Sequence, residues 1–475
     1  MSTAEPRQKR VVFIHPDLGI GGAERLVIDA AVGLQSRGAK VTIFTSHCDP
    51  SHCFDEARDG TLDVRVRGKT FPASILGRFA ILCAIVRQLH LVLSIALFSY
   101  ELDSLDPDTI FVDQLSACLL AKKSSGALRL VKAFYRIPFD FLEDWSTSCS
   151  DGIVVNSLFT GRVVKQAFPR LRRRKLDCIY PCVDTAIAEG TKREKEPLWP
   201  GKQVFLSINR FEEKKDIALA IKAFAGLKEE ERKSARLIIA GGYDPRVREN
   251  VAYHKSLESL ASSFNLSHST HQSVSDPSSL PTDTQMLFLL SVSGALKQSL
   301  LDSADLLLYT PLNEHFGIVP LEAMLNRVPV LAADQGGPRE TVVDGSTGWL
   351  RPTEEVEKWT QIMAEVVGMA KHVAGRQELS EMGFRGEKRV REEFSKEKMA
   401  WRMELEIDSL KSVKREPIVP VWIVASIGFT IFAAIGGYVL TNVLFRFIAL
   451  DVELERHLNE TRAKAEAEGK PLLPW

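Results

Sequence analysis

Two doubly wound α/β domains facing a cleft, followed by a membrane-spanning helix, are what this sequence predicts, and three observations predict it. Short apolar runs alternate with helical stretches from Arg10 to Asp334, a polar stretch interrupts the alternation once near residue 190, and a charge-free apolar run lies near the end. Strand and helix in alternation mean parallel sheets covered on both faces, because a parallel neighbour is reached only by a crossover. A chain of 475 residues is long enough for two or three such domains.

The first half opens with the strand RVVFIH (10–15) and a helix from about Ala23 to Ser36, then KVTIFTS (40–46) and LDVRVR (62–67). A long apolar stretch, Phe71 to Tyr100, precedes TIFVDQ (109–114), a helix near Asp140 to Cys149, GIVVNS (152–157) and DCIYPCVD (177–184). AEGTKREKEPLWPGK (188–202), with Gly, Pro and dense charge, reads as a linker. Alternation restarts with QVFLSINR (203–210), a helix from Asp216 to Leu227, ARLIIAGG (235–242), QMLFLLSVS (285–293), DLLLYTP (305–311) and VPVLAAD (328–334). Ser262 to Thr284, rich in Ser, Thr and Pro, reads as a surface loop, and helical patterns from Glu354 to Leu410 close the second domain. The expected divisions are 1–190, 200–395, a closing helix and linker over 396–417, a span over 418–445 and a charged tail over 446–475.

Lys+Arg and Asp+Glu are both 61, and no basic block is interleaved with aromatics, so nucleic acid is excluded as a partner. Cys48, Cys53, Cys83, Cys118, Cys149, Cys178 and Cys182 form no CxxC pair and no His-rich spacing, which fits reduced thiols facing the cytosol and no metal site. MSTAEPRQKR leads straight into a strand, so no secretory leader is expected. Ile418 to Phe445 runs 28 residues without a charge. That exceeds the ~20 needed to cross a bilayer. Lys411, Lys414 and Arg415 before it, against Arg446 and then Asp451, Glu453 and Glu455 after it, predict a cytosolic catalytic part and a lumenal Asn459 sequon. Phe71 to Tyr100 is broken by Arg78, Arg87 and His90; it reads equally as an interfacial helix or as a domain helix facing its own core.

The chemistry concentrates in TPLNEHFGIVPLEAML (310–325). Glu314 stands in a loop, Pro320 suits a first helical position, and Glu322 falls in the first turn, where the macrodipole favours a carboxylate. The amides of Gly317, Ile318 and Val319 form an anion site at the helix start. Gly19, Gly21 and Gly22 in HPDLGIGGAERL are not the full dinucleotide fingerprint, and only Asp49 follows the second strand, so a nicotinamide cofactor is disfavoured. These glycines still let a phosphate or sugar approach the backbone, although a plain tight turn would use them equally. In SINRFEEKKDIALA, Arg210 follows a strand and Lys215 starts the next helix; two cations at that edge could grip a diphosphate or simply face water.

Together, the R-x4-K after one strand, the E-x7-E around a helix start and the Gly-rich loop of the partner domain resemble the retaining nucleotide-sugar glycosyltransferases of family 4. That family has two Rossmann-like domains in the GT-B arrangement. NEHFGIVPLEAM, GGPRETVVDGSTGWL (336–350), NRFEEKKDI and RIPFDFLEDW (136–145) are similar, more narrowly, to the endoplasmic-reticulum mannosyltransferases that extend the dolichol-linked N-glycan precursor. The resemblance implies transfer of mannose, α1,3 and α1,6, from GDP-mannose to a dolichol-diphosphate mannosyl-chitobiose acceptor. It implies no metal or other cofactor, an endoplasmic-reticulum membrane location with the catalytic domains in the cytosol, and other transferases of the pathway as partners. It makes Glu314 the catalytic residue reaching the donor mannose. Gly21, Gly22, Arg210, Lys215, His315, Phe316, Gly317, Ile318, Val319 and Glu322 then bind the donor, Glu322 through the ribose hydroxyls.

In one place the sequence departs from the family. Family members carry a further first-domain strand with a CHFPD-like segment, whereas here Cys118 is followed at once by LLAKKSSGALRL. The first sheet is therefore expected to be one strand short, with an unpartnered edge and little or no transfer. His15 in FIHPDL is expected to cap its own turn and to take no catalytic part. Two alternatives stay open: a lipid-linked transferase of the same fold that adds N-acetylglucosamine to phosphatidylinositol, and an inactive scaffold subunit.

Overall fold

Four consecutive apolar residues, Val11 to Ile14, can be buried only in the middle of a covered sheet, and β1 (Arg10–His15) is so placed. The computed structural model describes residues 7–67, 80–113, 140–141, 143–185, 198–274 and 279–411. In the first domain α1 (Gly22–Ser36), β2 (Lys40–Thr45), β3 (Asp63–Val66), α2 (Ala80–Leu93), α3 (Glu101–Leu105) and β4 (Thr109–Val112) follow, and the parallel sheet runs β3-β2-β1-β4. Val27, Ile28, Ala31 and Leu34 of α1 cover one face, at the helical spacing that makes a single apolar stripe. Leu91 of α2 and Ile95 just after it cover the other, against Val12, Ile14 and Phe44. The described part of the Phe71–Tyr100 stretch thus faces its own core, while Leu89 and Val92 stay on the outside.

β4 is an edge among the described residues. Ile110 and Val112 pair in register with the buried Val12 and Ile14 yet are 41% and 58% exposed. The later strands of this half are two residues each, β5 (Val154–Val155) and β6 (Asp177–Cys178), and they form a separate parallel pair flanking α4 (Leu158–Ala167). Positions 114–139, where the departure from the family is expected, lie outside the described residues, as does most of the expected linker.

The second domain comprises β7 (Gln203–Ile208), α5 (Ile217–Ala225), α6 (Glu229–Ser234), β8 (Ala235–Gly241), α7 (Arg248–Ser263), β9 (His268–Gln272) and β10 (Met286–Leu290). It continues through α8 (Gly294–Ser303), β11 (Leu306–Tyr309), α9 (Val319–Leu325), β12 (Val330–Ala333), α10 (Pro338–Thr341), β13 (Gly348–Arg351), α11 (Val356–Ala370) and α12 (Val373–Glu393). Its seven parallel strands run β13-β12-β11-β7-β8-β10-β9. Phe224 and Trp359 anchor the core on one face, Leu300, Leu321 and Met324 on the other. β9 corrects the expected loop over Ser262–Thr284: HSTHQ pairs with β10 alone, and a solvent-facing edge strand does not need an apolar run.

α13 (Lys396–Leu410) then returns to the first domain, where Met399, Met403 and Ile407 complete the core beside Ile28 and Leu34. Gly33 permits this approach, since a Cβ there would lie 2.9 Å from that of Ala400. Lys9 reaches Glu404 at 3.0 Å and Asp408 at 2.8 Å, and Arg37 reaches Glu404 at 2.6 Å. The expected span, Ile418–Phe445, lies outside the described residues; among those described, no helix is long and apolar enough to cross a membrane.

Candidate active site

β7 has β8 on one side and β11 on the other, so the strand order reverses there and the loops after β7 and β11 diverge around a crevice. Residues far apart in sequence meet in it. Thr310 Oγ1 donates to the Lys215 carbonyl at 2.7 Å and the Leu312 N–H to the Lys214 carbonyl at 3.3 Å, which ties the two loops together. The Lys215 ammonium pairs with the Glu314 carboxylate, and both side chains are about four-fifths buried, so water screens the pair only in part. A third loop, after β12, supports the same place. The Gly337 N–H donates to the Glu314 carbonyl at 2.8 Å, and Gly336, at φ 67°, could carry a Cβ only 2.4 Å from that oxygen.

Gly317 has φ 86°, and a Cβ on it would stand 2.7 Å from the Tyr309 hydroxyl. Burial, and after it the Glu314 charge, push the pKa of that hydroxyl well up, so it remains protonated. Gly317, Ile318 and Val319 present amides without an acceptor among the described residues. Helix α9 starts at Val319, which puts Pro320 second and not first, and Glu322 in the first turn as expected. Glu322 Oε1 receives Lys297 Nζ at 2.6 Å. Lys297 was missed, although it stands in the first turn of the helix that follows β10, the position that singled out Lys215.

Arg210 is exposed just past β7 and makes no ion pair or hydrogen bond through its side chain among the described residues. Burial lowers the pKa of His315, which is therefore neutral near pH 7. Phe316 is buried, 3% exposed, and its ring stacks on Tyr180 at 5.6 Å, so the side chain anchors the loop and leaves the backbone to face a donor. Gly21 and Gly22 open α1, with nothing within 4 Å of where a Gly22 Cβ would stand, but no hydrogen bond or ion pair among the described residues ties them to the 314–322 loop. The self-capping expected of His15 is also corrected. Its Nδ1 lies 2.8 Å from Asp113 Oδ2, at the C-terminal ends of adjacent strands.

The family described as Glycosyltransferase Family 4 matches residues 20–187, and that described as Glycosyl transferases group 1 matches residues 189–374. The α-1,3/1,6-mannosyltransferase of Neurospora crassa is 53% identical over 430 residues, covering 84% of this chain and 90% of the relative. The chain belongs to the α-1,3/1,6-mannosyltransferase family. The Saccharomyces cerevisiae mannosyltransferase is 42% identical, with 90% of each chain covered. Among solved structures, sucrose-phosphate synthase from Thermosynechococcus elongatus covers 86% of this mannosyltransferase and 100% of its own length at TM-score 0.59 and 17% identity, which shows the two-domain GT-B fold alone. A glycosyltransferase from Rickettsia africae gives TM-score 0.61 at 12% identity, again with 86% and 100% covered. The Neurospora alignment has 430 positions, whereas 84% of 475 residues is about 400, so roughly thirty positions face no residue of this mannosyltransferase.

Proposed function

We propose that this glycosyltransferase moves mannose from GDP-mannose, with retention, to a dolichol-diphosphate-linked mannosyl-chitobiose acceptor, forming both the α1,3 and the α1,6 linkage. The observation that carries the reading is the switch-point crevice, where Lys215, Glu314, Lys297 and Glu322 converge beside the amides of Gly317 to Val319. In it Arg210, Lys215 and those amides stabilise the charge that grows on the leaving GDP, so fixed cations and dipoles do what a metal ion does elsewhere. Glu322, whose second oxygen is left over by Lys297, receives the ribose hydroxyls. Glu314, paired with Lys215, faces the mannose.

The membrane part of the reading rests on the charge-free Ile418–Phe445 and its basic flank. It places the enzyme in the endoplasmic-reticulum membrane with its catalytic domains in the cytosol, within reach of other transferases of the same pathway. Transfer assays with GDP-mannose and with UDP-N-acetylglucosamine, each with and without EDTA, test it. The expected result is mannose transfer indifferent to EDTA; transfer from the UDP-sugar would install the phosphatidylinositol reading instead, and no binding of either donor would install the scaffold.

A further inference from the structure

Helix α4 belongs to the first domain, yet its N-terminus is gripped by the second. The buried Ser157 caps it by accepting the Thr160 N–H at 2.9 Å, and its own hydroxyl donates to the His315 carbonyl at 2.5 Å. The next two amides, of Leu158 and Phe159, donate at 2.8 Å each to the two carboxylate oxygens of Glu340 on α10. A carboxylate at this end also meets the positive pole of the helix. Arg389 holds α10 by donating to the carbonyls of Glu340 and Thr341 at 2.8 and 3.0 Å.

This grip delivers one side chain to the crevice. Thr160 Oγ1 lies 2.9 Å from Nδ1 of His315, and the Phe159 ring stands edge-on to the imidazole at 5.6 Å. The single Ser157 proton is committed to the His315 carbonyl, so the Thr160 proton decides the tautomer. It can go to Ser157 Oγ, which already accepts the Thr160 amide, or to the imidazole nitrogen, the far stronger base. The second choice leaves the ring proton on Nε2, which has no acceptor among the described residues and is free to donate to a bound anion.

We propose that Thr160 is a positioning residue of mannosyl transfer: its hydroxyl fixes His315 in the Nε2–H form, and Glu340 holds in place the helix that carries it. This rests on the donor-site reading above, and the test separates the two. In the full chain labelled with 15N-histidine, with His315 assigned from His315→Gln, the ring is expected to be neutral and protonated on Nε2, and Thr160→Val to mix the tautomers. In transfer assays Thr160→Val should lower kcat by about tenfold, the worth of one good hydrogen bond, and leave KM for GDP-mannose nearly unchanged. Thr160→Ser should restore both signals, and Glu340→Ala should cost no further activity in a Thr160→Val background. A wild-type ring protonated on Nδ1, or equal kcat for the Val and wild-type chains, would overturn the proposal. If GDP-mannose is not the donor, no variant transfers mannose, while the 15N spectrum still decides the tautomer and its dependence on Thr160.

Discussion

Gly317 occupies a backbone conformation that side chains disfavour and a space that the Tyr309 hydroxyl already fills. Gly317→Ala should therefore displace the loop at a cost of about 1–3 kcal/mol and weaken GDP binding, measured by calorimetry beside a thermal melt. Removing either cation, as Arg210→Ala or Lys215→Ala, should weaken GDP binding by roughly 1.5–3 kcal/mol, the range for charge-assisted hydrogen bonds; unchanged affinity in both would take them out of the site. Glu314→Ala should abolish transfer and spare GDP affinity, whereas Glu322→Ala should lower GDP affinity itself. At this scale the sequence was legible where chemistry and spacing coincide, as in Glu314, Glu322 and Lys215. It was not legible for Lys297, Tyr309 or Thr160, because each matters through a partner on another element, and local pattern does not say which elements meet.

Among elements, the apolar strands were readable because burial on both faces leaves a continuous run such as MLFLL in β10. β9 and β13 were not, since each is an edge strand of ordinary composition. The same logic gives the exposed flank of β4 its meaning. Ile110 and Val112 face outward beside a neighbour whose equivalent residues are buried, which is the exposed flank expected if the first sheet is one strand short. The unmodified chain is accordingly expected to show little or no mannose transfer from GDP-mannose to a dolichol-linked acceptor, and inserting a strand-and-histidine segment of the family after Cys118 should restore activity. A rate equal to that of the Neurospora enzyme without any insertion would show that the cleft is closed by another route.

At the level of the whole molecule, two surfaces are available for a membrane. Deleting Ile418 to Trp475 should leave some of the chain floating with liposomes through the outward Leu89 and Val92, and Leu89→Glu with Val92→Glu should release the remainder. A deleted chain wholly in the soluble fraction, and still folded, would assign all attachment to the C-terminal run. The seam between α13 and the first domain should also loosen in acid. Lys9 and Arg37 hold the Glu404 carboxyl below its usual range, and Lys9 with Lys411 does so for Asp408. This contribution is complete above the ordinary carboxylate pKa and disappears as pH falls through the lowered values, which melts recorded between about pH 5 and 3 can follow.

That seam also sets an order of assembly. The first domain is the first part to leave the ribosome, but Met399, Met403 and Ile407, which seal its core, are made some 360 residues after α1 ends. Until they emerge, the emerged half carries an open apolar groove along α1 that a chaperone must shield or that will stick to other chains. A premature stop anywhere before Lys396 should thus yield not a free second domain beside a sound first one, but a product whose earliest-made half is the aggregating part. Supplying residues 393–411 as a separate peptide to ribosome-released 1–392 should rescue its solubility, and a variant peptide bearing Met403→Asp should fail to.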